Sequence, residues 1–120
     1  MKTVYKFLPY FIFYTKNLPE NIGGCTNAFI IRIKPKYKND LGIHKHEIYH
    51  VKQWYRTCGL HSFLYLFSKK YKLKSEIEAY KEQLKYYPDD RTEMFAGFIC
   101  NDYDLNVDKN TVIGMLKNGS

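Results

Sequence analysis

The residues of this chain best suited to chemistry are His46-Glu47-Ile48-Tyr49-His50. Side chains at i and i+4 stack on one face of a helix, so both imidazoles can reach one metal ion, while Glu47 projects about 100° away beside it. A metal held by neutral imidazoles lowers the pKa of its bound water towards ~7, and a neighbouring carboxylate can take that water's proton and pass it to a leaving amine. Glu47 is the candidate for the carboxylate, with His46 and His50 as candidate ligands. The bland alternative is a solvated helix face that happens to carry two histidines.

Such a site needs a helix, and the sequence supplies one. Ile43, His46, Glu47, His50, Val51 and Trp54 recur at helical spacing, which predicts a helix from Ile43 to Thr57 with the histidines turned inward and Gly59 as its stop signal. Ahead of it, the β-branched and aromatic residues from Thr3 to Tyr14 predict one or two strands, with Pro9 at an edge or break. Turn formers between Lys16 and Gly24 end that unit. Thr26 to Lys34 then predicts a further strand, stopped by Pro35.

Behind the helix, Leu60 to Lys74 is apolar and aromatic and turns basic at Lys69, Lys70, Lys72 and Lys74. It reads as a buried helix with a solvated basic end, and the alternative is a surface helix lying on acidic lipid. Ser75 with Glu78 matches a capping box and predicts a helix from Glu76 to Tyr86 or Tyr87, closed by Pro88. Asp89 or Asp90, and later Asp108, are expected to cap two last helices that cover the back of the site. The expectation is an α+β chain, a short N-terminal β-sheet followed by a helical part, with residues 1–117 as a single domain and 118–120 as a disordered tail.

Composition sets outer bounds. With 45% hydrophobic and 18% aromatic residues, the 120-residue chain is no disordered segment and has material for one core. Lys and Arg outnumber Asp and Glu by 19 to 12, and the formal charge of +7 favours anionic surfaces without naming a partner. Cys25, Cys58 and Cys100 are widely spaced and form no C-x-x-C pair, so neither a disulfide scaffold nor a cysteine zinc knuckle is indicated. They fit a reducing, cytoplasmic compartment. The apolar stretch from Phe7 to Tyr14 is broken by Pro9, is too short to span a bilayer and precedes no cleavage site, so neither secretion nor a membrane span is expected.

Two histidines leave a catalytic metal one protein ligand short. In the extended metzincin pattern the third ligand is a histidine where Arg56 stands here, which excludes that class. His44 points to the opposite side of the helix from His46, and His61 fits no known spacing. The remaining candidates lie in Glu76-Ile77-Glu78-Ala79-Tyr80, where Glu76 and Glu78 sit about 200° apart on a helix and cannot both face one metal.

At that segment the sequence resembles the gluzincin class of zinc metallopeptidases, in which H-E-x-x-H on one helix is completed by a glutamate from a later helix. In several of those families, the HtpX-like proteases among them, the glutamate opens an E-x-x-A motif, matched here by Glu76 and Ala79. The resemblance extends to small phage and bacterial proteins with an E-x-E-A-Y segment and to the compact archaeal minigluzincins. It covers residues 23–80, most specifically His46-Glu47, His50, Gln53, Glu76 and Ala79-Tyr80. Tyr80 stands where the HtpX-like pattern has Asp, a departure at the residue that would contact a ligand histidine.

What the resemblance implies is a zincin-like fold and a zinc metallopeptidase with one Zn2+ per chain on His46, His50 and Glu76, and with Glu47 as general base. It implies a peptide or protein substrate, laid along the edge strand that precedes the metal helix in such enzymes, although Thr26 to Lys34 reads equally well as an ordinary core strand, and a cytoplasmic location, that of a phage-infected host cell included. Tyr80, Tyr55 and His61 are all open as the oxyanion donor. The competing expectation is a zinc-stabilised basic module that contacts nucleic acid or an acidic membrane surface, although no nucleic-acid-binding motif is present.

Overall fold

The computed structural model describes residues 9–20, 22–103 and 105–118. Its elements are β1 (Phe11–Tyr14), β2 (Gly24–Asn27), β3 (Ile30–Ile33), a short 3-10 turn (Pro35–Tyr37), and helices α1 (Leu41–Arg56), α2 (His61–Phe67), α3 (Lys69–Leu84), α4 (Thr92–Asp102) and α5 (Lys109–Lys117). The chain is thus α+β, with a small sheet near its N-terminus followed by five helices. None of the described helices is long and apolar enough to cross a membrane.

The sheet has the order β1-β3-β2, with β1 parallel and β2 antiparallel to β3. The single strand expected over Thr26 to Lys34 is therefore a hairpin. Ala28 adopts a left-handed φ of 56° and reverses the chain between β2 and β3, so that Thr26 lies opposite Ile31 and Gly24 opposite Ile33. Of the strands expected from Thr3 to Tyr14, β1 supplies the second half, and Thr3 to Leu8 lies outside the described residues.

Helix α1 starts at a cap that the sequence places slightly late. The Asp40 carboxylate accepts from the Ile43 N–H at 3.1 Å and also from the Tyr87 hydroxyl at 2.7 Å, which ties the start of α1 to the segment after α3. Gly42 is required there, because a Cβ would overlap the Tyr87 hydroxyl. At the far end the Cys58 N–H bonds to Tyr55 O and the Gly59 N–H to Trp54 O, the paired bonds of a Schellman motif. Both residues are left-handed, at 54° and 88°, so Cys58 shares the stop that the sequence assigns to Gly59.

The segment from Leu60 to Lys74 is two helices rather than one. Ser68 is extended and its hydroxyl accepts from the Tyr71 N–H at 3.1 Å, capping α3. The expected cap, Ser75, lies inside α3 and is buried, with its hydroxyl donating to Gln53 Oε1 at 2.7 Å. The Ser75-to-Glu78 spacing matched a capping box by coincidence, since both side chains are committed to α1. Downstream, Asp90 rather than Asp89 accepts from the Thr92 N–H at 2.9 Å at the start of α4, and Asp108 caps α5 through the Thr111 N–H.

Two apolar clusters flank a polar seam. Ile31 and Ile33 of the sheet pack with Val51 of α1, while Ile77 and Tyr80 of α3 pack with Phe95, Ile99, Val112 and Leu116 of α4 and α5. Helices α1 and α3 face each other between the clusters. The two helices that carry the candidate ligands are thus each held from behind by their own core.

The capping assignment has a direct test. Ser68→Ala should destabilise the fold by about 1 kcal/mol, the usual cost of a lost N-cap, read as a lower urea midpoint with an unchanged slope. An unchanged midpoint would remove Ser68 as the start of α3.

Candidate metal centre

His46 and His50 lie one turn apart on α1 and turn towards α3, their rings 5.0 Å apart between centroids. From α3, Glu76 enters between them: its Oε1 is 3.2 Å from His46 Nε2 and its Oε2 is 3.1 Å from His50 Nε2. All three residues are buried, and their ligand atoms lie within 4.8 Å of one another. Three deprotonated donors turned towards one point inside a protein repel one another unless a proton or a cation lies between them.

The orientation of His50 can be derived from its neighbours. Gln53 Nε2 donates to Ser75 O at 3.3 Å and to Glu78 Oε1 at 3.0 Å, both acceptors only, so the Gln53 amide is fixed with its oxygen on the other side. That Oε1 faces His50 Nδ1 at 2.9 Å, and Nδ1 must therefore carry the hydrogen. Nε2, aimed at Glu76, is then the atom free to bind a metal. An imidazole whose other nitrogen is held this way is the usual supported metal ligand.

The electrostatics agree with a site that wants positive charge. Burial on its own pushes His50 down, but the Glu76 carboxylate reverses this, with help from Glu47 and Gln53, and holds it up at about 9. Burial pushes Glu76 up, yet the two histidines hold it well below the ordinary carboxylate range. Glu76 Oε1 is fully buried without a hydrogen bond of good geometry, and so is His46 Nδ1, among the described residues. The N,N,O donor set and the unsatisfied Glu76 oxygen fit a divalent metal ion.

Glu47 occupies the flank of this group. Its Oε1 accepts from the Thr26 hydroxyl of β2 at 2.7 Å, while its Oε2 is 3.9 Å from His46 Nε2. β2 approaches so closely that a Cβ on Gly24 would stand 3.1 Å from Glu47 Oε2. Glu47 and the three candidate ligands all line one cleft of about 680 Å³, to which β2, α2 and α4 also contribute.

The other residues singled out by sequence separate clearly. Glu78 faces away from the histidines and accepts from Gln53 and from Arg56 at 3.3 Å. His44 points outward to Tyr14. Of the three oxyanion candidates, Tyr55 donates to Pro9 O at 2.6 Å and is not part of the cleft lining. Tyr80 lies edge-on to His46 with its hydroxyl 3.1 Å from that of Tyr103, and among the described residues nothing hydrogen-bonds His46 Nδ1. His61 lines the cleft beside His50, and burial, followed by the charge on His50, pushes it down to about 4. It is neutral at physiological pH.

Sequence reasoning missed three residues. Tyr65 donates to Glu76 Oε2 at 2.5 Å, Thr26 anchors Glu47, and Ser75 secures Gln53. Only Ser75 had a usable signal, its place directly before Glu76. No protein-family model matches the chain, and no curated protein or solved structure is significantly similar to it.

The purified chain should bind about one divalent metal ion, as measured by elemental analysis. Glu76→Gln should lose it and Glu78→Gln should keep it. The opposite pattern would place the third ligand on the other face of α3.

Proposed function

We propose that this chain is a zinc-dependent metallopeptidase with a zincin-like fold. The observation that carries this reading is Glu47, a buried carboxylate on the cleft wall that is anchored by one oxygen and leaves the other beside the metal ligands. A purely structural metal site has no use for such a group, and burying it is costly. A hydrolytic site needs it as a base.

His46, His50 and Glu76 are the residues that would hold the ion, and the mixed imidazole-carboxylate set suits zinc. When bound there, zinc supplies Lewis acidity towards a substrate carbonyl and towards water. Glu47 then does the proton work. Its Oε2 takes a proton from the attacking water as the hydroxyl joins the carbonyl carbon, and it returns that proton to the amide nitrogen as the C–N bond breaks. Thr26 holds Oε1 so that the carboxylate cannot swing away, and Gln53 keeps His50 from turning.

A peptide is the substrate that the walls suit. β3, the strand before α1, is central in the sheet, whereas β2 has β3 as its one strand partner among the described residues and contributes Gly24 to Asn27 to the cleft. An extended chain can add to such an edge through backbone hydrogen bonds. Of the oxyanion candidates, neutral His61 and Tyr80 both line the cleft and could steady the developing oxyanion. A cytoplasmic protein or peptide substrate is consistent with three unpaired cysteines.

Glu47→Gln should keep metal and fold yet lower hydrolysis by ~10²–10⁴-fold, the usual worth of a general base. A mixture of unfolded proteins read by mass spectrometry provides the assay, and a chelator should abolish cleavage by the parent. Thr26→Val should give a smaller loss without loss of metal. If the zinc-loaded parent cleaves nothing, or the Gln variant cleaves equally well, the peptidase reading fails; salt-sensitive nucleic-acid binding would then favour a zinc-stabilised basic module.

A further inference from the structure

Helix α2 has two faces of opposite character. Its inner face carries buried His61 and Tyr65, which reaches Glu76. On its outer face Phe63, Leu66 and Phe67 are 61%, 77% and 73% exposed, and Leu60 just before the helix is 60% exposed. Single exposed apolar residues are ordinary, but four large ones within eight positions form a patch that needs a partner. The structure thus departs from the expectation of a buried helix.

The charge beside the patch has one sign. No Asp or Glu occurs from Val51 to Ser75, and exposed Lys69, Lys70 and Lys74 follow directly on α3. Lys69 and Lys70 occupy the first turn of α3, which has no acidic residue, so they oppose the positive end of the helix dipole. An anionic surface would remove that cost, because it suits both the lysines and the helix end. An apolar groove of about 470 Å³, lined by Leu73, Ile77 and Met115 with Lys70 and Lys74 at its walls, opens beside the same lysines.

From this combination we infer that α2 and the start of α3 form a docking surface for an anionic phospholipid bilayer. Leu60, Phe63, Leu66 and Phe67 enter the acyl boundary while Lys69, Lys70 and Lys74 meet the phosphates, the division of labour of an interfacial helix. The inference stands apart from the hydrolytic reading. Its consequence does rest on that reading: Ser62, Tyr65 and Leu66 of α2 also line the metal cleft, so docking would set the cleft mouth at the lipid surface and select substrates found there.

Flotation of the full chain with vesicles tests it. The chain should float with phosphatidylcholine vesicles that contain about one-third phosphatidylserine, and not with phosphatidylcholine alone. Lys69→Glu with Lys70→Glu should weaken binding at least about thirtyfold, and Phe63→Ser with Leu66→Ser and Phe67→Ser should abolish it. All five side chains are exposed, so unchanged circular dichroism is expected. The Glu47→Gln protein should float as the parent does, which separates failure of docking from failure of the peptidase reading. Equal binding to neutral vesicles, no binding by the parent, or a dimer that the apolar variant converts to monomer would each overturn the inference.

Discussion

The rest of the structure depends on one buried carboxylate. Glu76 is 1% exposed and lies between two imidazoles, where an unpaired charge would cost several kcal/mol. Removing either partner from such an arrangement typically costs about 3–5 kcal/mol, because the other charge stays buried. The neighbours follow from this requirement. Tyr65 donates to Oε2, and Ser75 and Gln53 fix the ring that faces it, so each of these three adds a donor or orients one.

The same cleft sets its two carboxylates apart by environment alone. Glu76 receives a phenol at Oε2 and turns an unsatisfied Oε1 towards His46, so both of its oxygens face the ligand set. Glu47 is pinned at one oxygen by Thr26 and keeps the other facing the cleft. Under the proposed function one holds the cation and the other exchanges the proton, and neither role could pass to the other without moving β2 or α3. The separate apolar clusters behind α1 and α3 make such movement costly, since each helix is anchored by its own core.

The part of the site that was legible in the sequence is the part written in helical periodicity. The spacing of His46, Glu47 and His50 fixes which side chains share a face, and the separation of Glu76 from Glu78 on α3 follows from the same rule. The resemblance to an E-x-x-A motif then selected Glu76, and the structure turns that residue, and not Glu78, towards the histidines. What was not legible depends on contacts between elements. Ser75 looked like a cap because a serine three positions before a glutamate is a local signal, while its actual partner, Gln53, lies on another helix. Likewise the bend inside the run from Thr26 to Lys34 does not use its turn former where preference would put it: Asn27 ends β2, and Ala28 beside it accepts the left-handed conformation, which residue preference argues against. Thr26 and Tyr65 reach the site only through tertiary packing.

The division of Leu60 to Lys74 into two helices gives this reading its last step. Continuous through Ser68, the segment would carry its apolar and basic halves along one axis, and α2 could not close over Glu76 as it does through Tyr65. The break lets a seven-residue helix serve the buried site with one side while presenting its apolar side outward. Small domains bury a limited share of their surface, and here the outer side of α2 is left exposed at Phe63, Leu66 and Phe67. The demand for a donor to Glu76 therefore fixes α2 in place, and the exposed patch on its back is the physical consequence of where that donor had to come from.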